Sequence, residues 1–184
     1  MTEPAFRYAR LADVSALTNL IERAYRSPET AGGWDSESHL LTGPRTGATE
    51  VGDLIADSDS RFLVAERDRR LLACVLIQKR GSGACAPGYA SGQAAYFGMF
   101  AVDPDLRGTG LGRRLVAEAE TCVRDLWTAP ALAMTVISVR AGLIAWYGRR
   151  GYALTGARIP FPFDETTGET TREFDLVEML KVFP

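Results

Sequence analysis

The stretch Met99-Phe100-Ala101-Val102-Asp103-Pro104-Asp105-Leu106-Arg107-Gly108-Thr109-Gly110-Leu111-Gly112-Arg113-Arg114-Leu115 constrains the fold more than any other part of the chain. It reads as an apolar strand, a proline turn, a glycine-rich loop and the start of a helix. Such a loop leaves bare backbone N–H groups at a helix start, where a phosphate can be held. Glycine is needed there because an anion approaches the backbone closely only where no Cβ intervenes. Arg107, Arg113 and Arg114 add positive charge at the same place. Two common phosphate loops do not fit. The P-loop demands a lysine after its last glycine, and none follows here. The dinucleotide pattern Gly-x-Gly-x-x-Gly fails because the glycines fall at 108, 110 and 112 and position 113 is arginine.

The 184 residues fit one domain spanning 1–184, large enough to bury a substantial core. A hydrophobic share of 46% and a charged share of 24% are ordinary for a globular protein, and no run of 18 apolar residues offers a membrane span. The net charge of −2 draws the chain towards neither nucleic acid nor an anionic membrane. Cys74, Cys85 and Cys122 are widely spaced, with no Cys/His pairing that suggests a metal. The beginning of the chain lacks the apolar stretch of a signal peptide, so a cytoplasmic location is expected.

Hydrophobic periodicity predicts the elements in turn. A first strand covers residues 5–9. Asp13 caps a helix to about residue 26, with Val14, Leu17, Ile21 and Ala24 as its buried stripe. Residues 27–50 form a long loop with a turn of helix near 37–41, and a second short helix covers 48–57. Residues 61–66 and 71–79 make a hairpin around the charged turn 67–70. Residues 81–92 are a Gly/Ala/Ser linker. Residues 94–102 are apolar on both alternating faces, as in a central strand: Ala95, Phe97, Met99 and Ala101 on one, Tyr96, Phe100 and Val102 on the other. A helix follows over 110–127, its stripe Leu111, Leu115, Ala119, Val123 and Leu126. Strand 131–139, short helix 143–149 closed by Gly151, and strands 152–159 and 174–182 complete the chain. The strand–helix–strand unit from 94 to 139 implies a parallel pair; the other neighbours read as hairpins. The expected fold is α/β (α+β), a mixed, mostly antiparallel sheet of six to seven strands with helices on both faces.

The pattern Arg-x-x-Gly-x-Gly at Arg107, Gly110 and Gly112, and the order of elements around it, resemble the Gcn5-related N-acetyltransferases, from about Phe6 to Phe183. A second block, Leu143-Ile144-Ala145-Trp146-Tyr147-Gly148-Arg149-Arg150-Gly151-Tyr152, resembles that family's Asn-x-x-Ala-x-x-x-Tyr-x-x-x-Gly-Phe. Tyr147, Gly151 and Tyr152 match; Arg140 and Leu143 stand where the family has asparagine and alanine. The resemblance implies an acetyl-CoA-dependent enzyme that acetylates a primary amine. It implies that Arg107, Gly108, Thr109, Gly110, Leu111, Gly112 and Arg113 grip the cofactor's pyrophosphate. It also implies that Phe100, Ala101 and Val102 lie on a strand whose freed amides bind the acyl oxygen and the pantetheine arm.

Direct attack on a thioester needs a deprotonated amine, a stabilised carbonyl oxygen and a protonated or solvated thiolate. Tyr147 is the candidate general acid; its bland alternative is a tyrosine that packs a short helix onto the sheet. The general base is open. The family's strand glutamate has no counterpart in Tyr96-Phe97-Gly98-Met99, which leaves Glu37, His39, a water chain ending at Tyr96, or no dedicated base. Trp34, Glu37 and Tyr96 are the expected substrate contacts, and Asp35, Glu37, Asp164, Glu165 and Glu169 lean slightly towards a cationic amine. A small-molecule amine acceptor and a monomer or homodimer are expected. Rival readings are a non-catalytic CoA-binding regulatory module, an acetyltransferase acting on a protein acceptor, and an interaction protein.

Overall fold

The computed structural model describes residues 3–26, 40–41, 43–79, 94–161 and 174–184. In chain order the elements are β1 (Ala5–Tyr8), α1 (Val14–Arg26), α2 (Ala48–Ala56), β2 (Ser60–Arg67), β3 (Arg70–Gln78), β4 (Ala94–Val102), α3 (Leu111–Trp127), β5 (Ala131–Ile137), α4 (Ala141–Gly148), β6 (Ala153–Pro160) and β7 (Asp175–Val182). Short 3-10 turns at Leu11–Asp13 and Pro104–Leu106 precede α1 and the glycine loop.

The strands form one seven-stranded sheet in the order β1-β2-β3-β4-β5-β7-β6. Every neighbouring pair is antiparallel except β4 and β5. The parallel pair expected across α3 is therefore present. The expectation that the remaining neighbours are hairpins needs one correction: β7, not β6, lies beside β5, with Thr135 opposite Glu178. The pairing buries β7 between two strands, which suits its Val177, Met179 and Leu180.

Helices α1 and α2 cover one face of the sheet. Leu17, Leu20, Ile21 and Ala24 recur at helical spacing and pack on Phe62, Val64, Cys74 and Leu76. On the other face, Leu111, Leu115, Val116, Ala119 and Val123 of α3 meet Leu63, Val75, Ile77 and Leu132. Each fully buried side chain of this size contributes about 1.5–3 kcal/mol. Leu126 departs from the expected α3 stripe, being 42% exposed; the last turn presents Trp127 to the core instead.

The β2–β3 hairpin closes on two residues, Asp68 and Arg69, at φ 51° and 62°. Left-handed conformations at both positions match the twist of the flanking strands. Asp13 does not cap α1 as expected. It belongs to the preceding 3-10 turn, where its carboxylate accepts from the Arg10 N–H at 2.7 Å. Arg7 donates to both its oxygens, at 2.7 and 2.9 Å, and also pairs with Glu66 on β2.

The Arg7 guanidinium holds the Asp13 carboxyl below the usual carboxylate range. A depressed native pKa stabilises the fold above the unfolded value of about 3.9 and loses that effect as pH falls through the native one. Wild type is expected to exceed Asp13→Asn by on the order of 1 kcal/mol at pH 7. Urea unfolding at stepped pH is expected to show the gap closing as pH falls below about 4; a gap that persists at low pH contradicts the assignment.

Candidate active site

Strands β4 and β5 pair only over Ala94–Tyr96 against Ala131–Ala133, although β4 runs on to Val102 and β5 to Ile137. Beyond Tyr96 the edge of β4 facing β5 has left the ladder. On its other edge, β4 inserts an extra residue: three steps from Gly98 to Ala101 face two from Leu76 to Cys74 on β3. Such a bulge bends the strand and re-aims its side chains. Met99 sits inside it at φ 43°, a region that non-glycine residues enter only at a cost of about 1–3 kcal/mol.

The bulge reverses the expected faces of β4 past Gly98. Phe100 and Val102 join Ala95 and Phe97 on the α3 side, while Met99 and Ala101 pack beneath α1. Phe97 and Phe100 thereby become ring neighbours, 5.6 Å between centroids. Gly98 is required just before the bulge, because a Cβ there would lie 2.8 Å from Cε1 of the Tyr96 ring. The Tyr96 hydroxyl shares a hydrogen bond of 3.3 Å with Thr135 on β5. The diverging strands open a cleft of about 470 Å³, bordered by Tyr96, Phe97, Phe100, Thr135, Arg140 and Tyr147 among others.

The glycine loop begins at Asp103, which is 1% exposed. Its carboxylate accepts from the Asp105 N–H at 3.1 Å and pairs with Arg70 of β3 and Arg23 of α1. The turn that launches the loop is thus tied to a neighbouring strand and to the helix that covers one face of the sheet. The Thr109 hydroxyl donates to the Leu106 carbonyl at 2.7 Å. Gly108 and Gly110 take φ 76° and 85°, and Gly110 is the N-cap of α3, where side chains with a Cβ are strained. At Gly112 a Cβ would meet Phe100 Cζ at 3.1 Å, so its absence lets α3 lie close against β4.

A second opening, of about 260 Å³, lies over this loop, bordered by Phe100, Val102, Arg107, Gly110, Gly112, Arg113, Trp146 and Arg150. The Arg150 guanidinium stacks 3.3 Å from the Trp146 ring centroid and donates to the Trp146 carbonyl at 2.6 Å. Burial, then the neighbouring Arg149 and Arg113 guanidiniums, lower the proton affinity of Arg150. Cations crowded at the start of a 17-residue helix make a favourable place for a multiply charged anion. Phe100 borders both openings.

Tyr147 lies on α4 at the cleft, 3% exposed, with Phe97, Phe100, Trp146 and Tyr152 rings around it at centroid distances of 5.0–6.3 Å. Among the described residues its hydroxyl has no hydrogen-bond partner. Burial pushes the phenol well above 10, with Tyr25 adding to the rise and the Arg140 and Arg150 guanidiniums opposing it. Behind it, Tyr152 and Lys181 both donate to Glu120 of α3, at 3.1 and 2.6 Å, locking this block to α3 and β7.

Of the residues expected to meet a cofactor, Phe100, Val102, Arg107, Gly108, Gly110, Leu111, Gly112 and Arg113 come together at the second opening. Thr109 and Ala101 do not border it: the Thr109 side chain braces the turn, and the Ala101 side chain faces the α1 core. Tyr96 borders the cleft, whereas Trp34, Glu37 and His39 lie outside the described residues. Trp146, Arg150 and Arg140 are members of the site that sequence reasoning passed over. The signal for the first pair was a Trp and an Arg four apart across the end of α4; for Arg140 it was the departure from asparagine. Among the described residues no group of three metal-ligating side chains converges, and no helix is long and apolar enough to cross a membrane.

Residues 16–152 match the acetyltransferase (GNAT) family, and the chain belongs to it. Solved structures agree on the fold. A ribosomal-protein-alanine N-acetyltransferase from Brucella melitensis superposes with TM-score 0.68 at 20% identity, covering 97% of this chain and 99% of that one. A chimeric spermidine N-acetyltransferase from Vibrio cholerae gives 0.67 at 16% identity over 98% and 96%. An N-acetyltransferase from Thermoplasma acidophilum in complex with coenzyme A gives 0.65 at 14% identity over 99% and 100%. No match to a curated protein sequence was found.

Replacing Tyr147 by phenylalanine removes the hydroxyl and keeps the ring cluster. The unfolding free energy of Tyr147→Phe is expected within about 1 kcal/mol of wild type by urea titration. A larger loss would mean that the hydroxyl is structural.

Proposed function

We propose that the protein transfers an acetyl group from acetyl-CoA to a primary amine of a small molecule by direct attack, as one domain of residues 1–184 working in the cytoplasm. One observation carries this reading: the anion-ready loop opening and the Tyr147 cleft share Phe100, so one elongated cosubstrate can reach from loop to phenol. The glycines at positive φ and the crowded Arg113 and Arg150 fit a diphosphate. Acetyl-CoA supplies an acyl group activated as a thioester.

Each residue then has a distinct task. Arg107, Gly108, Gly110, Leu111, Gly112 and Arg113 hold the diphosphate, through main-chain N–H groups and guanidinium charge, while Thr109 braces the turn that shapes the loop. Arg150, braced on Trp146, adds charge from the opposite wall. The edge of β4 around Phe100, Ala101 and Val102 offers N–H donors to the developing oxyanion. Fixed donors of this kind need no reorganisation when charge appears. Tyr147 donates from its hydroxyl to the departing sulfur. Burial keeps this phenol protonated across the working pH range, so its role is to donate a hydrogen bond that stabilises the sulfur as it gains charge and leaves as thiolate. The free, buried thiols Cys74 and Cys122 accord with a reducing compartment.

The lack of a carboxylate at Tyr96-Phe97-Gly98-Met99 favours, as a second reading, a module that binds CoA without turnover. Thiol release with an amine panel separates the two.

Two variants test the assignment. Gly110→Asp places a carboxylate in the loop, while Gly110→Ala imposes similar backbone strain without charge. Calorimetry is expected to show acetyl-CoA affinity falling about 100-fold or more in the aspartate variant relative to the alanine one; equal affinities contradict the anion site. Tyr147→Phe is expected to lower kcat by about 100-fold. Its KM for acetyl-CoA should stay within about threefold of wild type, and an unchanged kcat removes the acid role.

A further inference from the structure

The bulge in β4 is bridged by one side chain from the neighbouring strand. Cys74 of β3 stands opposite Ala101, just past the bulge, and its thiol donates to the Met99 carbonyl at 3.6 Å. The Ala101 N–H bonds to the same sulfur. Cys74 is fully buried, on the α1 side of the sheet with Met99 and Ala101. Burial pushes its thiol up to about 12, with the Ala101 N–H opposing the rise. The sulfur therefore keeps its proton and stays a donor at neutral pH.

The direction of this bond fixes the next group along the chain. A trans peptide is planar and sends its carbonyl and its N–H to opposite sides, and among the described residues no peptide bond is cis. With the Met99 oxygen turned towards Cys74 on β3, the Phe100 N–H of the same peptide is turned towards the side of β5. On that side the strands have parted and the cleft opens. Met99 and Phe100 both line the cleft, and Phe100 lines the loop opening as well. The Ala101 N–H, directed at Cys74, points the other way.

Resting on the acetyl-transfer reading, we propose that, of the amides along this edge, the Phe100 N–H is the donor to the thioester oxygen, and that Cys74 is the positioning residue that aims it. A hydrogen bond at the carbonyl end polarises the peptide and strengthens its N–H as a donor. It also helps to hold Met99 at φ 43°, a conformation that persists only where its surroundings enforce it. A thiol suits the task, being small, apolar enough to lie beneath α1, and free of charge behind the oxyanion. In transfer, the neutral amine nitrogen bonds to the carbonyl carbon and the oxygen takes up negative charge at the Phe100 N–H. Return of that charge breaks the C–S bond, CoA leaves as thiolate, and the surplus nitrogen proton passes to water. The donor is in place before the charge appears.

The test uses the whole chain and acetyl-CoA isotopically labelled at its carbonyl carbon, followed by NMR, and needs no acceptor. In wild type the bound carbonyl resonance is expected downfield of the free thioester. Exchanging bound CoA for acetyl-CoA is expected to move the Phe100 amide proton downfield and to leave that of Ala101 in place. Cys74→Ala is expected to lose about half or more of the carbonyl displacement, with acetyl-CoA affinity by calorimetry within about threefold of wild type. Cys74→Val fills the site without a donor and gives the same reading where the alanine cavity costs the fold. Cys74→Ser restores a donor and is expected to recover most of the displacement. Cys122→Ala removes the other buried thiol, away from the bulge, and is expected to leave the signal at its wild-type position. A displacement that survives both Cys74→Ala and Cys74→Val overturns the proposal, as does an acetyl-dependent shift at Ala101 in place of Phe100. Binding without any carbonyl displacement overturns this proposal alone, whereas no binding at all overturns the acetyl-transfer reading beneath it.

Discussion

One extra residue in β4, inserted opposite β3 at Met99, sets the geometry of both openings. It turns Phe100 and Val102 to the side where α3 and α4 pack, and swings the end of β4 away from β5. Without it the two strands could continue their parallel ladder past Tyr96, and the space that forms the cleft would be filled by paired backbone. The strain at Met99 is offset by its surroundings: its side chain is buried beneath α1, and the Cys74 thiol donates to its carbonyl at 3.6 Å. Ala94 to Tyr96 remain paired with β5, so the sheet splits at a defined point rather than fraying.

The glycine loop depends on the same strand. Asp103 follows directly on β4, and its buried carboxylate gathers Arg70 from the strand next door and Arg23 from the helix across the sheet. A burial this complete would be costly for a lone charge; two guanidiniums and a backbone N–H compensate it. The loop therefore starts from a rigid anchor and ends on a helix pressed onto Phe100 through Gly112. The two openings are fixed relative to each other by one ring, that of Phe100.

Much of this was legible in the sequence because it is local. Glycines at 108, 110 and 112 ahead of an amphipathic stripe announce the loop and α3, and the order of elements follows from periodicity alone. What failed is non-local. Strict alternation assigned Met99 and Ala101 to the face of Phe97, because nothing within β4 records how β3 counts its residues. The placement of β7 between β5 and β6 is likewise a choice made by the sheet. Asp13 has the right residue type for a helix cap, yet an arginine on β1 draws it into a different role. At the site, Arg140 and Arg150 carry their meaning only once α4 is laid beside the split strands.

A titration of isotopically labelled protein with coenzyme A, followed by amide NMR, interrogates the split strand and the loop together. The account predicts that the amides of Gly108, Gly110 and Gly112 and those of Phe100 to Val102 shift in step with a single affinity, while those of β1 and β6 stay still. Shifts confined to other surfaces, or a loop that remains unmoved at saturating ligand, would contradict it.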